Sequence, residues 1–305
     1  MASAAAAPPP VPFHVPWGPV DNVAGILPHV VDFQGTPPGA NDWNCVPSAA
    51  HPEPVVLLSG TSAGPAQNYR WLSPLLANNG YCVFTLTYGI DPGTVSGLLG
   101  GLSLPGNADE AVVARQQLAP FVDRVLAATG AAKVDFVGHS QGTVMPRWYI
   151  KFLGGDQKVA KSINLAPLWN GTTLYGLTYL YQALQGIGVA PAVDAVAGLF
   201  SHSALQFRQG SDFLNILNQG EAFAPTVDYT NIITRYDEAV VPYTSGIAPP
   251  GPNITNIVLQ DLCPNDFSEH LFVAADPIVG QHVLNALDPG DATPIDCYGT
   301  PRNSG

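Results

Sequence analysis

The nine residues Val134–Gly142, V-D-F-V-G-H-S-Q-G, restrict this chain more than any other stretch. The apolar run Val134 to Val137 leads straight into Gly138-His139-Ser140-Gln141-Gly142, and a helical pattern over Thr143–Leu153 follows. A strand that reverses into a helix around one residue leaves no room for a Cβ on either side, which is why glycine flanks the turn. Ser140 then sits at the tip of a strained turn, with the free N–H groups of the following helix pointing at it. G-x-S-x-G alone also occurs as an ordinary turn. Between a strand and a helix it reads as a nucleophile elbow, with the serine beyond the carboxyl end of a buried strand.

The rest of the chain supplies the sheet this elbow needs. Apolar, β-branched or aromatic runs predict strands at Val55–Leu58, Tyr81–Thr87, Ser162–Leu165, Asn231–Tyr236 and Ile254–Gln260. Helical spacing covers Tyr69–Ala77, Ala108–Thr129 and Pro277–Leu287. In the second of these, Ala111, Val112, Leu118, Val122 and Val125 fall on the apolar side and Pro120 is expected to introduce a kink. Strands alternating with helices give an α/β protein: a mostly parallel central sheet with helices on both faces. Ligands in such sheets bind beyond the carboxyl ends of the strands. Residues 1–53 are Pro-rich and read as an arm packed on a domain of residues 54–305, with Trp17, Phe33 and Trp43 as anchors. Residues 169–224 hold no convincing strand and are read as a small helical or irregular cap over the site.

Composition narrows the partners. Only 11% of the 305 residues are charged and the net charge is −12, against a usual charged fraction of about 25%. No nucleic-acid partner is expected of such a chain, nor binding to an anionic membrane surface. No window of 18 consecutive apolar residues suggests a membrane span. Met1–Pro10 lacks a basic region followed by an apolar core, so it reads as the start of a mature or recombinant form. Cys45, Cys82, Cys263 and Cys297 form no C-x-x-C pair, so no metal site is expected. An even count in a low-charge, Gly/Pro-rich chain suggests a secreted protein with two disulfides, against the alternative of four buried thiols. Sequence order allows three pairings. Cys45–Cys82 with Cys263–Cys297 is favoured because each closes a loop of moderate length, adding roughly 3–4 kcal/mol apiece.

A serine hydroxyl needs a base, and the base needs a group that fixes its tautomer. After an elbow serine these partners follow in the order acid, then histidine. His202, His270 and His282 are the histidines beyond Ser140. His202 precedes the candidate acid and falls in the cap, and His282 lies on a helical pattern. His270 occupies the loop after the last strand. Asp237 ends the strand Asn231–Tyr236, whereas Asp228 stands at its other end; Glu238 is a neighbouring alternative, and Asp261 and Asp266 are candidates for support around His270. The developing oxyanion needs at least two donors. The N–H of Gln141 is one, and Thr61 in Gly60-Thr61-Ser62 can offer both N–H and hydroxyl, unless that loop is a plain turn. Leu168, Trp169, Leu174 and Val189 stand for an apolar wall that would hold an acyl chain and exclude water. Core packing is the alternative for such residues.

Four segments, Val56-Leu57-Leu58-Ser59-Gly60-Thr61, Gly80-Tyr81-Cys82-Val83-Phe84, Gly138-His139-Ser140-Gln141-Gly142 and Thr234-Arg235-Tyr236-Asp237-Glu238, resemble the secreted class 2 triacylglycerol lipases of actinobacteria. The chain is also similar to fungal lipase B of the Candida antarctica type. The resemblance covers most of residues 41–298. It implies an α/β-hydrolase fold, the catalytic set Ser140, Asp237 and His270, an oxyanion hole of Thr61 and Gln141, no metal or cofactor, secretion and disulfides. Many bacterial relatives have His-Gly where this chain has Ser59-Gly60; the lipase B type also lacks that histidine. The expectation is hydrolysis of carboxylic esters with medium or long acyl groups, triacylglycerols among them, by a monomer in transient contact with a lipid–water interface. Alternatives are a cutinase-like polyester hydrolase, a peptidase or acyltransferase with the same triad, and a non-catalytic binding scaffold.

Overall fold

A computed structural model describes residues 13–17, 33–91, 104–173 and 201–304. Its strands are β1 (Val55–Leu58), β2 (Val83–Thr85), β3 (Val134–His139), β4 (Val159–Leu165), β5 (Asp228–Ile233) and β6 (Ile254–Val258). They form a six-stranded sheet in the order β2-β1-β3-β4-β5-β6, and each neighbouring pair is parallel. Every residue of β1 and β3 is buried, as expected where helices cover both faces of a parallel sheet.

The helices are α1 (Pro65–Asn68), α2 (Leu72–Asn78), α3 (Glu110–Val113), α4 (Ala119–Thr129), α5 (Gln141–Phe152), α6 (His202–Gln206), α7 (Asp212–Asn218), α8 (Leu259–Leu262) and α9 (Pro277–Leu287). On one face Val55, Leu57 and Val137 pack with Leu72, Leu75 and Leu76 of α2 and Val279, Val283 and Leu284 of α9. On the other, Val56, Leu58 and Phe136 meet Val122 and Val125 of α4 and Met145 and Tyr149 of α5. The α/β class expected from alternating strands and helices is the one observed.

Local departures have physical causes. The helix expected over Tyr69–Ala77 begins only at Leu72, as α2, after a break that separates it from α1. At the break, the buried Tyr69 hydroxyl donates to the carbonyls of Leu58 at 2.6 Å and Val137 at 3.2 Å. The helix over Ala108–Thr129 contains a π turn at Ala114–Leu118. Pro120 lacks an N–H and crowds the carbonyl four residues back, and the widened turn accommodates it. Val112, expected on the apolar side, is exposed, and Val113 is buried in its place. The second strand is shorter than Tyr81–Thr87, β5 stops at Ile233 rather than Tyr236, and β6 gives way to α8 after Val258.

Two disulfides pin peripheral segments to this frame. Cys45–Cys82 ties the segment before β1 to the amino end of β2, and Cys263–Cys297 ties the segment after α8 to the segment after α9. In the segment before β1, Trp43 packs on Phe84 at 5.0 Å between ring centroids, with the Arg124 guanidinium 3.7 Å over its ring. Residues 13–17 run beside the end of the chain: Val15 N–H donates to Ser304 O at 3.3 Å, and Trp17 Nε1 donates to Ser304 Oγ at 2.9 Å. Asn78 Nδ2 joins both segments, donating to Phe13 O at 2.7 Å and Asn303 O at 2.9 Å.

Candidate active site

The turn between β3 and α5 is as tight as its sequence demands. Ser140 has φ 55° and ψ −120°, a conformation that a non-glycine residue adopts only when its surroundings impose it. A Cβ on Gly138 would stand 2.0 Å from the carbonyl oxygen of Gly142, and one on Gly142 would stand 2.0 Å from that of Leu58. Ser140 N–H donates to Leu165 O at 2.9 Å, while its carbonyl accepts from Thr143 N at 2.9 Å and Thr143 Oγ1 at 2.6 Å. Both main-chain polar groups of Ser140 are thus held, and only its side chain is free to face outward.

Across the sheet top, the loop after α8 brings His270 to this serine. His270 Nε2 lies 2.9 Å from Ser140 Oγ, and Nδ1 lies 2.9 Å from Asp237 Oδ2. Asp237 stands beyond the carboxyl end of β5. Its Oδ1 accepts from Ala239 N at 3.0 Å and Val240 N at 2.6 Å, which fixes the carboxylate. Because the carboxylate only accepts, Nδ1 carries the proton and Nε2 presents its lone pair to the serine hydroxyl. That is the arrangement a general base needs.

The residues around this chain are also specified. Gly60 packs against Ser140, since a Cβ on it would lie 3.3 Å from Ser140 Cβ. Its N–H donates to Asn68 Oδ1 at 2.7 Å. Gln141 opens α5, where a helix leaves its first N–H groups without partners in the helix itself. The Gln141 side chain is engaged: Nε2 donates to Gly106 O at 2.8 Å and to Glu110 Oε1 at 2.5 Å. Burial holds the Glu110 carboxyl well above the usual range. A side chain on Gly106 would strike Gln141 Oε1 at 2.3 Å. Burial, followed by the neighbouring His270, pushes His139 down to about 3.

Ser140 and His270 open onto a cavity of about 470 Å³, walled by Leu168, Thr172, Phe207, Val240 and Leu271 and reached by Thr61. The stretch expected as a cap contributes Thr172, Ala204 and Phe207. Leu168 lines the cavity. Trp169 does not: its ring is buried against Phe223 at 5.4 Å and beneath Arg147, whose guanidinium is tied to Ala222 O at 2.9 Å. Leu174 and Val189 lie outside the described residues. His202 faces Asp91 at 2.7 Å, and His282 is a buried residue of α9. Asp261 pairs with Arg235, and Asp266 accepts from Ser268 N at 2.8 Å. Asn68, Glu110 and His139 carried no signal in the sequence, because each acts through a partner remote in the chain.

A family model described as Lipase (class 2) matches residues 52–270. The fold is similar to that of Aspergillus fumigatus lipase B, with a TM-score of 0.64 at 18% identity over 88% of this chain and 61% of that one. It is similar too to the mature form of Bacillus licheniformis lipase BlEst2, with a TM-score of 0.54 at 14% identity over 79% of this chain and 94% of that one. The chain therefore spans 61% of the fungal protein's length. At these identities the likeness is one of fold, the α/β-hydrolase fold.

Proposed function

The chain belongs to the class 2 lipase family, and from that premise we propose that it is a secreted serine esterase acting on carboxylic esters of medium or long acyl chains, triacylglycerols included, through an acyl-Ser140 intermediate. The observation that carries this reading is the chain of 2.9 Å contacts from Ser140 through His270 to Asp237 at the wall of an apolar cavity. His270 takes the serine proton as Oγ attacks the ester carbonyl. Asp237 stabilises the imidazolium that results. The oxyanion is received by the N–H groups of Thr61 and Gln141, with the Thr61 hydroxyl as a further donor. His270 then returns the proton to the departing alcohol, and water admitted by the same base releases the acid.

The apolar wall suits an acyl chain and keeps water from the oxyanion. Two disulfides among the described residues support an oxidising compartment. The test is a p-nitrophenyl ester series of increasing acyl length, run beside peptide substrates, with phosphonate labelling mapped by mass spectrometry. Ester turnover favouring medium or long chains, one label on Ser140, and a fall in kcat of roughly 10⁵–10⁶-fold in Ser140→Ala are expected. A label on another residue, or peptide cleavage without ester cleavage, would overturn it.

A further inference from the structure

His270 is bonded at every polar atom it has. Its ring faces Asp237 and Ser140, as described. Its main-chain N–H donates to Glu238 Oε2 at 2.9 Å, and its carbonyl lies 2.8 Å from His139 Nε2. Glu238 directly follows the candidate acid, and His139 directly precedes the candidate nucleophile. The two residues that hold the histidine's side chain are thus each adjacent in sequence to one that holds its backbone.

The chemistry of both contacts is defined. A carbonyl oxygen only accepts, so the His139 proton that meets it is on Nε2. The ring is buried and packs 5.0 Å from the His270 ring. Its other nitrogen lies 3.0 Å from the Asn68 side-chain oxygen that takes the Gly60 N–H. His139 is therefore wedged between the base loop and the loop that carries Thr61. On the opposite side Glu238 is half-buried and faces Glu269. Glu269 accepts the next N–H along, that of Leu271, at 2.6 Å. Successive amides of the His270 loop are thus gripped by two carboxyl groups.

We propose that His139 and Glu238 are positioning residues that fix the His270 main chain, and so set where Nε2 meets the reacting serine. This rests on the reading of His270 as the general base. Misplacing a reacting group by about 1 Å costs up to roughly 10²-fold in rate without changing substrate binding. Holding the ring by Asp237 alone leaves the loop free to carry it off that position.

The test compares truncations with replacements that keep the hydrogen bond, in the full chain on one p-nitrophenyl ester. Glu238→Ala and His139→Leu remove the acceptor and the donor. Glu238→Gln keeps an oxygen acceptor, and His139→Gln keeps an N–H near the Nε2 position. Each truncation is expected to lower kcat by roughly 10–100-fold with KM within about twofold. Each glutamine variant is expected to recover to within about threefold of the wild type. A fall smaller than about fivefold in Glu238→Ala, or glutamine variants as poor as the truncations, would overturn the proposal. Glu238 is half-buried, so its pair decides the matter if His139→Leu does not fold. Ser140→Ala assayed in parallel separates the two levels: an active Ser140→Ala removes the general-base reading, whereas an inactive one beside a fully active Glu238→Ala removes only the positioning role.

Discussion

Thr61 combines two donors in one residue, and the hydroxyl can be tested apart from the amide. Thr61→Val keeps the β-branched shape and the N–H but not the O–H. Loss of one oxyanion donor costs roughly 3–4 kcal/mol, so kcat should fall about 10²–10³-fold and kcat/KM with it. Retention of more than half of wild-type kcat in a folded variant would leave only the backbone role. The residues that the structure brings together were legible in the sequence where the signal was local. Ser140 is marked by the glycines beside it, and Asp237 and His270 by order and by place after strands. Glu110 could not be read that way. Its carboxyl is buried and accepts from Gln141, and the two are 31 positions apart. Trp169 failed for a related reason: an apolar stretch beside a site looks the same whether its side chains face the cavity or Arg147.

Elements raise a different question, because β3, which leads into the serine, contains a buried acid. Asp135 lies 3.4 Å from Lys161, yet burial outweighs that partner and lifts its pKa from 3.8 to about 7. The sign follows from proton binding. Between about pH 4 and 7 the folded chain keeps a proton that the unfolded chain releases, so this carboxyl makes the protein less stable as pH rises through that window. The slope reaches about 1.4 kcal/mol per pH unit. Asp135→Asn cannot titrate, and its melting temperature should gain on the wild type from pH 4.5 to 7.5. A constant gap in thermal melts across that range would mean that Asp135 ionises at its ordinary value. Element boundaries were less legible than element types. Thr234-Arg235-Tyr236 continues a β-like composition, but β5 stops where pairing with β6 ends, at Ile233 with Val258. The π turn before Pro120 was equally invisible, since a proline announces a disturbed helix without saying how the disturbance is absorbed.

At the scale of the whole molecule, the disulfides act at the margins. The sequence separations of 37 and 34 residues place each near 4 kcal/mol in the loop-entropy account. Cys45–Cys82 sits at the amino end of β2, opposite the end of the sheet that carries Ser140. Cys45→Ala/Cys82→Ala should therefore melt roughly 8–16 °C lower by calorimetry while keeping its kcat. A large loss of kcat at a temperature where the variant is folded would mean that the segment before β1 also shapes the site. The pairing of residues 13–17 with residues 301–304, joined through Asn78, has a consequence of another kind. The two segments are already neighbours in space, so the linear order of the polypeptide is incidental to the sheet it builds. A circular permutant could bridge them with a short linker and open its new ends at the exposed Gly220 turn, leaving every strand pairing intact.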